Sequence, residues 1–151
     1  MFSPEPALPI HISPVHSRQA ARHRWHGAAL ASPFAVFFVL LLWPWNPIYA
    51  GIGALLAGAL TTLLCRPDLT RSTLIGGLLV FALYVVFLLG LKWVWPGYIE
   101  AVWNLPDLLP WRPAGLPAEE LLFVFTFGMY WSSVYEHIAW RWNDHVLLGK
   151  R

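Results

Sequence analysis

Four apolar stretches, separated by short polar or proline-marked breaks, organise the chain: residues 28–43, 47–65, 72–95 and 117–140. A helix needs about 20 residues to cross the hydrocarbon layer of a membrane. The pattern therefore predicts an all-α integral membrane bundle of about four transmembrane helices, with residues 1–27 ahead of it and residues 143–151 behind. The first stretch is short and carries Pro33, so it is the weakest span. In the second, Ala50, Ala54 and Gly58 recur every four residues, a spacing that lets a neighbouring backbone approach closely. The run Arg66-Pro67-Asp68-Leu69 ends one helix at a proline and places Asp68 to cap the next. Residues 96–114, rich in aromatics and proline, are expected to lie on the outer interface and to roof a site.

On the last stretch, an advance of 100° per residue sorts the side chains into two stripes. Glu120, Val124, Phe127, Trp131, Tyr135 and Ile138 share one face. Glu119, Thr126, Tyr130, Ser133 and His137 share another about 100° away. At about 1.5 Å per residue the aromatic strip from Glu120 to Ile138 runs roughly 27 Å, long enough for an elongated apolar ligand. Packing on another helix is the commoner role of such a strip.

Composition strengthens the membrane reading. The 151 residues are 58% hydrophobic and include 10 Trp, while only 12% are charged, about half the share of soluble domains. The basic residues are unevenly spread. With a cytoplasmic N-terminus, Arg18, Arg22, Arg24, Arg66, Arg71, Arg141, Lys150 and Arg151 fall inside, and only Lys92 and Arg112 fall outside. Trp43, Trp45, Trp93, Trp95, Trp103 and Trp111 would form the outer aromatic belt, with Trp25, Trp140 and Trp142 at the inner edge. Both termini are thus expected on the inside of a plasma or bacterial inner membrane. Residues 1–27 hold four Pro, four His and three Arg without apolar periodicity, which predicts a mobile cytoplasmic lead-in and no cleavable signal peptide.

Several chemistries are excluded by what the chain lacks. A net charge of +2, with the basic residues beside apolar segments, reads as a topology signal and not as a nucleic-acid footprint. The single Cys65 permits no internal disulfide and no all-cysteine metal site within one chain. His137 is the one histidine in an apolar span, so a pair of axial haem ligands is missing; His23 and His26 have helical spacing but no further ligands, and no metal is expected. No aspartate-rich diphosphate site or glycine-rich phosphate loop is present. No ionisable residue falls at mid-bilayer depth, which argues against transport. Glu136 lies opposite Glu120 and about 24 Å along the axis, and is expected to pair with Arg141 or Arg71.

Glu119 and Glu120 leave two readings open. Pro117 suits a helix start, and carboxylates in a first turn complement the helix dipole and its unpaired amides. A carboxyl at the edge of hydrocarbon is also costly unless paired or protonated, which makes it a functional candidate.

The run GLPAEELLFVFTFGMYWSSVYEH, with NPIYAGIGALLAGAL, RPDL and GYIEAVWNL upstream, resembles the integral-membrane lycopene cyclase domain family of carotenoid biosynthesis over roughly residues 30–142. The Pro-x-Glu-Glu helix start is the most specific part of the likeness. The resemblance implies a cofactor-free isomerase that cyclises the ends of a linear carotenoid by acid/base chemistry, with Glu119 and Glu120 as the proton-handling residues. It also implies a substrate surface of Phe127, Trp131, Tyr135 and Tyr130, and a partnership between two cyclase domains, since this chain holds one Pro-x-Glu-Glu. The alternative is a non-catalytic membrane protein that binds a carotenoid or another isoprenoid, or that scaffolds a partner.

Overall fold

A computed structural model describes residues 26–148, without the side chains of His26, Glu136 and residues 138–148. The expected N-terminal lead-in up to residue 25, the metal-ligand reading of His23 and His26, the pairing of Glu136 and the inner Trp140 and Trp142 belt lie outside the described residues. Within them the chain is all-helical, as expected. Five α-helices follow in order: α1 (His26–Leu40), α2 (Pro47–Cys65), α3 (Thr70–Val94), the short α4 (Tyr98–Val102) and α5 (Ala118–Leu148). Two helical segments are long and apolar enough to cross a membrane, Pro47–Cys65 and Pro67–Val94, and Gly27–Leu40 is apolar but shorter.

Local chemistry sets the boundaries. Asn46 caps α2 by accepting the Ile48 amide at 3.1 Å, with Pro47 in the first helical position, where its missing N–H costs nothing. Pro67 ends α2, because the residue before a proline is driven out of the helical region. Asp68 does not cap α3 as expected. Its carboxylate pairs with Arg66 at 2.7 Å inside a 3₁₀ turn, and α3 starts without a side-chain cap. Hydrogen bonding to that guanidinium holds the Asp68 carboxyl below its usual range. Gly97, at φ 90°, turns the chain from α3 into α4, a conformation open to glycine at little cost. Pro33 is accommodated inside α1 because the Ala29 carbonyl, deprived of its amide partner, accepts the Ser32 and Thr61 hydroxyls instead.

The long helices pack in a row, with α5 between α2 and α3 and α1 on the far side of α2. The small-residue face of α2 is buried, as its spacing predicted, with Ala50, Ala54 and Gly58 all covered. A side chain on Gly58 would strike the Tyr130 ring and Pro33. The α3–α5 contact is closer still: a Cβ on Gly128 would meet the Val80 Cβ at 2.8 Å and the Gly77 Cα at 3.0 Å. Near the start of α5, Leu88, Ile99 and Leu116 form a buried cluster surrounded by Tyr84, Tyr98, Trp103 and Leu121. The outward flank of α3, including Leu79, Leu83, Val86 and Phe87, is exposed. Contiguous apolar surface of this kind belongs against lipid or a partner.

Candidate functional site

The N-terminus of α5 is built by a tight approach. The chain runs through a 3₁₀ turn at Pro113–Gly115 in which Ala114 sits at φ 54° and Gly115 at φ 78°, and the Lys92 ammonium clasps the Ala114 carbonyl at 2.9 Å. Buried Leu116 and Pro117 then seat the helix, which starts at Ala118. Glu119 and Glu120 thus fall in its first turn, side by side in sequence and about 100° apart around the axis.

The angle sends the two carboxyls to different neighbours. Glu119 turns toward α2 and the connector and is 2% exposed. Its Oε1 accepts both the Tyr49 hydroxyl at 2.8 Å and the Leu109 amide at 2.6 Å. Its Oε2 is buried and meets no donor among the described residues. Glu120 turns toward α3 and α4 and is half-buried. Each of its oxygens has one donor: the Tyr84 hydroxyl reaches Oε1 at 2.6 Å, and the Trp103 indole N–H reaches Oε2 at 3.2 Å. The connector between α3 and α5 therefore roofs the glutamates as expected, supplying the Leu109 amide to one and Trp103 to the other.

The two stripes of α5 diverge beyond Val124, which is buried although it lies on the aromatic stripe. Thr126, Ser133 and His137 are buried, as Glu119 is, and Thr62 of α2 donates to Ser133 at 2.8 Å. Ser133 passes its own hydrogen to the Tyr130 carbonyl. Phe127, Trp131 and Tyr135 line the exposed side; Trp131 is 60% and Tyr135 69% exposed. Phe127 and Trp131 stack with centroids 6.0 Å apart and planes 14° from parallel. Trp131 and Tyr135 flank an open groove of about 430 Å³ with Ile75 and Leu79 of α3. Helix packing among the described residues does not account for this strip. Tyr130 stands apart from the other three aromatics: its ring covers Gly58 and its hydroxyl donates to the Leu30 carbonyl at 2.6 Å, tying α5 to α1.

Four groups that touch the glutamates escaped the sequence reading: Tyr49, Tyr84, Trp103 and the Leu109 amide. A signal for the tyrosines existed, because a phenol inside an apolar helix requires a polar partner. Trp103 was read as part of the interfacial belt, and nothing local marks the Leu109 amide as a donor.

No group of three or more potential metal ligands is found among the described residues. No curated protein and no solved structure matches the chain significantly. The family model for lycopene cyclase matches residues 46–138, which starts at the Asn46 cap, excludes α1 and contains both glutamates with all four of their donors. The match covers more than half of the sequence, and the chain belongs to the lycopene cyclase family.

Proposed function

We propose that this protein cyclises the ends of a linear carotenoid such as lycopene, as an isomerase that needs no cofactor. The observation that carries this reading is the pair of carboxyls in the first turn of α5, each fixed by its own aromatic hydroxyl or indole within the region matched to the family. Cyclisation of a polyene end adds a proton to the terminal double bond, closes a six-membered ring through a carbocation and releases a proton. An acid and a base in a dry, aromatic setting suffice for it. Trp103, whose indole N–H donates to Glu120, meets Tyr98 edge to face with ring centroids 5.8 Å apart, and these rings supply π-density that stabilises a cation without trapping it.

The protein acts from within a membrane, with four spans formed by α1, α2, α3 and α5 and both ends on the cytoplasmic side. The exposed Phe127, Trp131 and Tyr135 support a polyene lying along α5, and they equally support a second cyclase domain closing over it, from another copy or a related chain. The test is reconstitution of the full chain in liposomes loaded with lycopene. The expected product is a cyclic carotene of unchanged mass formed without added nucleotide or metal; bound but unaltered lycopene would instead favour a carotenoid-binding protein.

A further inference from the structure

On the outward flank of α3, the side chains of Val86, Phe87, Leu91, Trp93 and Val94, with Gly90 among them, line an open apolar groove of about 460 Å³. From Val86 to Val94 it runs about 12 Å along the helix. The groove shares a wall with the Glu120 carboxyl. Phe87 packs on the Tyr84 ring, with centroids 6.3 Å apart and planes 37° from parallel. Leu91 packs against the buried cluster of Leu88, Ile99 and Leu116, as Tyr84 and Trp103 do, and those two are the donors to Glu120. Along α5 the way is closed: Val124, 7% exposed, lies between Glu120 and the open Phe127 on the same stripe.

We propose that the groove on α3 holds the reacting end of a linear conjugated polyene and that Gly90 determines which ends fit; this rests on the cyclase reading above and leaves the strip of α5 to a second domain. A conjugated chain is straight and rigid, so laying it along a helix costs little conformational entropy, whereas a lipid acyl chain must give up its rotamers to do the same. Phe87 and Trp93 offer aromatic rings to its π-system. An end that closes a six-membered ring curls back on itself and is wider there than the extended chain. Gly90 supplies that width: it is exposed, and a Cβ there would meet nothing within 4 Å among the described residues. Glycine inside a helix weakens it relative to alanine. At Gly76, Gly77 and Gly128 the close approach of α3 and α5 requires it, and at Gly90 no neighbour does.

Lycopene is achiral, so circular dichroism in its visible band, measured against protein-free liposomes, reports polyene held by the protein whether or not it turns over. The probe is lycopene in dioleoylphosphatidylcholine liposomes carrying the full chain. Wild type is expected to induce the band. Gly90→Leu, which fills the groove with a good helix former, and Val86→Trp, which narrows it from its edge, are expected to lose most of the band at unchanged thermal unfolding. Both should raise KM for cyclisation by roughly tenfold, with kcat held within about twofold. Leu60→Trp, on an exposed flank of α2, is expected to change neither. A full band and unchanged KM in both groove variants would overturn the proposal, and loss of the band in Trp131→Ala instead would move the polyene to α5. A wild type that induces no band would also overturn it and leave the groove to lipid acyl chains. A band that depends on Gly90 in a protein that forms no rings would keep the groove as a polyene site and reject the cyclase reading.

Discussion

Tyr84 is the residue whose partner says most about this site. Its hydroxyl, set in a run of leucine, valine and phenylalanine, gives its hydrogen to Glu120 at 2.6 Å. Replacing it with phenylalanine keeps the ring in the Leu88 cluster and removes one donor from the carboxylate. Tyr84→Phe should therefore lower turnover by roughly tenfold, read by chromatography of the products. Ser133→Ala serves as the contrast. It removes the acceptor of Thr62 in the buried stripe, far along α5 from the glutamates. The expected outcome is a loss of about 1 kcal/mol of stability with turnover per folded molecule unchanged.

At the scale of elements, the site depends on how closely α3 and α5 approach, since one carries Tyr84 and the other Glu120. Gly76, Gly77 and Gly128 make that approach possible. Gly128→Val should wedge the helices apart, destabilise the protein by about 1–3 kcal/mol in detergent unfolding and weaken the Tyr84–Glu120 contact. Gly90→Ala, where a Cβ meets nothing within 4 Å, should do neither. Much of this scale was legible in the sequence. Apolar length between polar breaks located α2, α3 and α5, the Ala50–Gly58 spacing identified a packed face, and the stripes of α5 separated the exposed Phe127, Trp131 and Tyr135 from the buried Ser133 and His137. What each stripe meets was not legible, because periodicity fixes which side chains share a side and not which neighbour covers it. The same limit explains Asp68, whose nearby Arg66 outcompetes the α3 amides, and Tyr130, which shares a stripe with Ser133 and bonds to α1. The separation of Glu119 from Glu120 follows from adjacency on a helix, but their donors come from residues 10 to 70 positions away.

For the whole molecule, charge and apolar surface predict an orientation. Arg66 and Arg71 lie at one end of the row of helices, and Lys92 and Arg112 lie beside the connector at the other. In a Cys65→Ser background, a membrane-impermeant thiol reagent applied to intact cells should label Asp107→Cys and spare Ser72→Cys; both positions are exposed at opposite ends of the spans. The reverse pattern would invert the topology. The outward leucines of α3 and the Phe127–Trp131 stack are apolar surface left open among the described residues, where the proposed function puts lipid, substrate or a second cyclase domain. The carotenoid would then reach the glutamates from within the membrane.

If the paired carboxyls at the start of α5 make this chain a cyclase, pigment analysis reads it out without purification. The full chain and its Glu119→Gln/Glu120→Gln double variant would be expressed to equal levels in lycopene-accumulating bacteria and the carotenes separated by chromatography. Monocyclic or bicyclic carotenes are expected from the wild type and unchanged lycopene from the double variant. Equal pigment profiles from the two, whether cyclic or linear, would contradict it.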